Sequence, residues 1–165
     1  MDEPNAPAGA VITAAAAELL TRLQDRHGPV MFHQSGGCCD GSSPMCYPLG
    51  DFLVGDRDVM LGVLDVGATG VPVWISGPQY RAWKHTQLVI DVVPGRGGGF
   101  SLEAPEGLRF LSRGRVFTDD EKALLDAVPV ITGADYEQGE RPSTRGPVLD
   151  QAAPETCPPR SREPQ

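Results

Sequence analysis

The sequence predicts an α+β fold of several short strands flanked by short helices, and three observations carry that prediction. Apolar residues fall at helical spacing early in the chain, between Thr13 and Arg26. Runs rich in β-branched residues recur through the middle, most clearly from Thr86 to Val93. A helix-start signature, Thr118-Asp-Asp-Glu121, follows the last of those runs.

The first ten residues, MDEPNAPAGA, are small, polar and proline-containing, and 1–10 is expected to be a disordered leader. Thr13 is suited to cap a helix, and Ala16, Leu19, Leu20 and Leu23 then form one apolar face. Gly28-Pro29 ends that helix. Val30–His33 reads as a short strand. Residues 34–48 are too rich in Gly, Ser and Pro for regular structure and read as a loop. Residues 58–64 and 70–76 read as strands, and Pro78 opens one or two helical turns up to Lys84. After the strand at 86–93 come a glycine loop, Pro94–Gly99, a short strand at 100–103 and another between Leu108 and Phe117. A short helix is expected over 119–127, with Leu124, Leu125 and Val128 as its apolar side. From about Ala134 the chain turns polar, and 6 of its 16 prolines fall in the last 32 residues. One globular domain over 11–130 and a disordered tail over 131–165 are therefore expected.

At 165 residues, one ordinary domain plus tails is what the length allows. Lys and Arg total 14 against 22 Asp and Glu, a net charge of -8 with no basic stripe. That balance argues against nucleic acid as a partner and against docking on anionic membranes. No apolar run approaches the roughly 20 residues that span a bilayer. The acidic start Met1-Asp2-Glu3-Pro4 is wrong for a secretory signal, so a cytoplasmic location is expected.

The chemistry concentrates in the loop. Three of the four cysteines, Cys38, Cys39 and Cys46, sit within nine residues, and His27 and His33 precede them. Cys157 stands alone near the C-terminus. One reading is a soft metal site, because thiolates and imidazole suit zinc, copper(I), iron or an iron–sulfur cluster. The preceding glycines let backbone amides approach sulfur or metal closely. The spacing matches no familiar zinc pattern, since there is no Cys-x-x-Cys. A second reading is thiol chemistry, either a reversible disulfide between Cys46 and Cys38 or Cys39, or a nucleophilic cysteine with His33 or His85 as base. A third is three small, inert, buried cysteines in a tight loop.

Other motifs are weaker. Gly95-Arg96-Gly-Gly-Gly99 lacks the Lys-Ser/Thr and the long helix of a phosphate-binding loop, so it reads as a turn. Trp74, Tyr80 and Trp83 read as core and rim packing. His85 is expected to face water. Asp91, out of phase with Leu88, Ile90 and Val92, is expected on the solvent face, and Asp40 is expected to cap its own turn.

The run His27-Gly-Pro-Val-Met-Phe-His-Gln-Ser-Gly-Gly-Cys-Cys-Asp-Gly-Ser-Ser-Pro-Met-Cys-Tyr-Pro48, together with residues 70–103, closely resembles the bacterial domain-of-unknown-function family 779. The resemblance spans about 12–117. Members of that family neighbour aldehyde or alcohol dehydrogenase genes, which implies an accessory role beside an aldehyde dehydrogenase. The chain itself has no dinucleotide fingerprint and no second domain, so it is not expected to be such an enzyme. A more distant likeness is to the HesB-like A-type iron–sulfur carriers. It rests on the early helix, Gly36-Gly37-Cys38, the GVPVWIS segment, Leu88-Val-Ile-Asp-Val-Val93 and Gly99-Phe-Ser-Leu-Glu-Ala-Pro105. It implies a compact, curved β-fold flanked by helices and a first-loop ligand at Cys38 or Cys39. Those carriers complete their site with a later Cys-x-Cys, whereas Glu106–Arg113 contains no cysteine. The expected site is therefore Cys38, Cys39 and Cys46 with His33, holding a transition metal or an iron–sulfur cluster, with ligands from one loop or from two subunits of a homo-oligomer. The alternative is a redox or aldehyde-reactive protein acting through Cys38 or Cys39.

Overall fold

In the computed structural model two mixed sheets, of four and five strands, share one apolar core. The structure describes residues 7–34, 44–50, 54–95, 101–140 and 145–149. Strand β1 (Ala10–Thr13) leads directly into helix α1 (Ala14–His27), followed by β2 (Val30–Gln34), β3 (Met45–Pro48), β4 (Val59–Leu64) and β5 (Val71–Ile75). Helix α2 (Gly77–Trp83), β6 (Thr86–Pro94), a 3-10 turn (Ala104–Glu106) and β7 (Leu108–Val116) come next. The chain continues through α3 (Asp119–Asp126), β8 (Ile131–Thr132), α4 (Gly133–Glu137) and β9 (Val148–Leu149). The smaller sheet has the order β7-β6-β1-β9 and the larger β3-β2-β5-β4-β8. This is the α+β class that the sequence predicts.

Helix α1 starts where Thr13 Oγ1 accepts the N–H of Ala16 at 3.3 Å, a cap of the kind worth about 1 kcal/mol. It ends at Gly28, whose φ of 81° favours glycine and whose N–H bonds the Gln24 carbonyl at 2.8 Å. Its predicted stripe, Ala16, Leu19, Leu20 and Leu23, is fully buried among residues of both sheets. The sheets meet where Phe32 of β2 packs edge-on to Phe110 of β7, with ring centroids 4.8 Å apart.

The ordered elements extend beyond the expected 11–130. β1 begins at Ala10, the last residue of the expected leader, and runs parallel to β6 as an inner strand. Past residue 130, β8 pairs with β4, and Thr132 and Asp135 form a reciprocal capping box that starts α4. Residues 145–149 stitch the two sheets together. Gly146 N–H bonds Val63 O at 2.7 Å and its carbonyl accepts from Asp65 N–H, while Ile12 N–H bonds Pro147 O. A Cβ on Gly146 would lie 1.9 Å from the Ala10 carbonyl oxygen, so only glycine fits. The remainder of the expected tail, 150–165, and residues 1–6 of the expected leader lie outside the described residues.

Three local expectations change. The loop expected over 34–48 contains β3, an edge strand antiparallel to β2. Ser101–Glu103 form a turn leading into the 3-10 segment rather than a strand. Asp91 is not a solvent-face residue: its side chain is 14% exposed, accepting from Thr13 Oγ1 and Arg113 Nε, each at 3.0 Å. No helix among the described residues is long and apolar enough to cross a membrane.

Candidate functional site

Strand β2 ends four residues before Cys38, and its pleat decides what each of its side chains can do. Successive residues of a strand point to opposite faces. Phe32 belongs to the core between the sheets, while Met31 packs with Met60 and Trp74 in a separate cluster on the other side of the larger sheet. His33 falls in phase with Met31, on that outer face. The register there forms one row across the sheet: Met45 of β3, His33, Trp74 of β5, Met60 of β4 and Ile131 of β8.

His33 is nearly buried, and its Nε2 lies 3.0 Å from Asp58 Oδ2; their side chains are 5% and 17% exposed. Asp58 is itself held by its surroundings. The same Oδ2 accepts Gly55 N–H at 3.0 Å, and the Asp58 backbone closes a tight turn onto the Gly55 carbonyl at 3.1 Å. Gly133 N–H then donates to Asp58 O at 2.9 Å, and a Cβ on Gly133 would sit 2.0 Å from Gly55 O. Helix α4 thus clamps the turn that aims the carboxylate at His33. Tyr136 of α4 completes the cover by packing edge-on to Trp74 at 5.4 Å.

The inner face at the same end carries a different polar set. Gln34, the last described residue before the loop, is buried and accepts a hydrogen bond from Ser112 Oγ of β7 at 2.7 Å. Across β3, the Cys46 N–H donates to Ser101 Oγ at 2.8 Å. The Ser101 hydroxyl in turn donates to Glu103 Oε1, and Glu103 Oε2 accepts the Phe110 N–H at 3.2 Å. Glu103 is fully buried, and that burial raises its pKa; the hydrogen bonds from Ser101 and from the backbone amides of Glu103 and Phe110 pull it back down.

The structure therefore separates two of the expected ligands. Cys46 is 0% exposed in the core between the sheets, and its thiol is pushed far above the usual range, first by burial and then by the charge of Glu103. A thiol held protonated is a poor ligand and a poor nucleophile. His33 lies on the opposite face, so Cys46 and His33 do not converge. Cys38, Cys39 and Asp40 lie outside the described residues, as do Cys157 and the glycine loop 96–100. No group of three or more His, Cys, Asp and Glu fit to hold a metal occurs among the described residues. His27 and His85 are both exposed.

Sequence reasoning missed Asp58, Gln34, Ser101, Glu103 and Ser112. Asp58 stands next to a strand with nothing in sequence to tie it to His33. Ser101 and Glu103 lay in a segment read only as a short strand, 100–103, with nothing in sequence to mark them as a buried pair.

The chain is thus a two-sheet α+β domain with a clamped His–Asp pair, its histidine five residues before Cys38 in sequence. It belongs to the family described as Domain of unknown function (DUF779), whose model matches residues 19–116. No curated protein and no solved structure matches the chain.

Proposed function

We propose that this protein is a small accessory protein that holds a soft transition-metal ion at the root of its cysteine loop. The His33–Asp58 pair is the observation that carries the proposal. A carboxylate bonded to one ring nitrogen of a histidine fixes tautomer and orientation, which is how metal-bound imidazoles are held. Cys38 or Cys39, four and five residues beyond Gln34, supplies the thiolate, and the methionines flanking His33 suit a soft ion such as copper(I). Cys46 is left out of the donor set, because a buried protonated thiol on the opposite face cannot contribute.

The test is elemental analysis of the full chain purified without oxygen, with an optical spectrum alongside. Stoichiometric metal that is lost in Cys38→Ala or His33→Ala, and retained in Cys46→Ala, supports the site. No metal above background after anaerobic reconstitution overturns it. The accessory role beside an aldehyde dehydrogenase is supported by the family resemblance alone, and is tested by whether such an enzyme loses activity when this chain is withheld and regains it on addition.

The same pair supports a second reading. A histidine oriented by a carboxylate is also the base that activates a nearby thiol. A metal-free protein whose Cys38 or Cys39 gains mass from an aldehyde, or forms a disulfide under mild oxidant, would favour that chemistry over metal binding.

A further inference from the structure

We draw no further inference here: the strongest candidate, the half-open apolar cavity between β4, α2 and α3 with the exposed Val128 and Val130 at its rim, carries nothing, because nothing in the structure shows what covers it.

Discussion

The two faces of the larger sheet are built from alternate residues of the same strands, yet they have different neighbours. On the inner face Phe32, Val73, Ile75 and Cys46 meet α1 and the second sheet, each with no exposure at all. On the outer face Met31, His33, Trp74 and Met60 are covered by the Gly55–Asp58 turn and the five-residue α4, with Ile131 of the edge strand β8 beside them. The inner face is dry and closes the fold. The outer face is lightly roofed, and there a histidine and a carboxylate are held in fixed geometry. Burial depth, not sequence proximity, thus decides the chemistry of Cys46, which falls on the inner side and holds its thiol protonated.

That contrast can be broken most forcefully at Phe32. Phe32→Ala empties the contact between the sheets and is expected to lower the unfolding free energy by about 3–5 kcal/mol in a urea titration. A loss near 1 kcal/mol would mean that the inner face is not the main source of stability. Cys46→Ser places a hydroxyl in the same dry space, with an expected cost of about 1–3 kcal/mol and no effect on bound metal. Cys46 should also resist a thiol reagent until the protein unfolds.

Glu103 sharpens the comparison through pH. Its carboxyl titrates above 4.5 in the folded protein, because burial disfavours the charge. Between pH 4.5 and that raised value the folded state binds more protons than the unfolded state, so stability falls as pH rises across that window and levels off above it. Glu103→Gln should flatten that part of the stability–pH curve, at a cost of about 1–2 kcal/mol for the disturbed bonds to Ser101 and Phe110. An unchanged curve would count against Glu103 as its source. The smallest change in stability belongs to the outer face. Asp58→Asn should cost about 1 kcal/mol or less, while weakening metal affinity about 10–100-fold. Equal metal affinity in that variant would remove the positioning role of Asp58.

What the sequence displays and what it hides follow from the same physics. Helix α1 was legible because a cap, a stripe and a glycine stop all agree, and β5 and β6 because their β-branched runs are buried. β3 was not, because it is a four-residue edge strand ending in proline that is defined only by pairing with β2. The segment after residue 130 looked like tail because its composition is polar, yet the Thr132-x-x-Asp135 spacing was a capping signal in plain view. That oversight reached the site, since α4 clamps Asp58. His33 was legible as a candidate by its closeness to the cysteines. Its partner was not, because it stands 25 positions away in sequence and is brought close by the fold.

The stitch formed by residues 145–149 has a consequence for how molecules of this protein meet one another. It covers the free edge of β1 and the backbone of β4 at the same time. Without it, Ile12 and Leu64, both fully buried, would border open rows of N–H and C=O groups on two sheets. An exposed strand edge beside apolar side chains is a template for pairing with another chain. Five residues that add little to the core thus act as a guard against self-association. A chain cut before Arg145 is expected to assemble through that edge under conditions in which the full chain stays apart, a difference that light scattering at equal concentration would read.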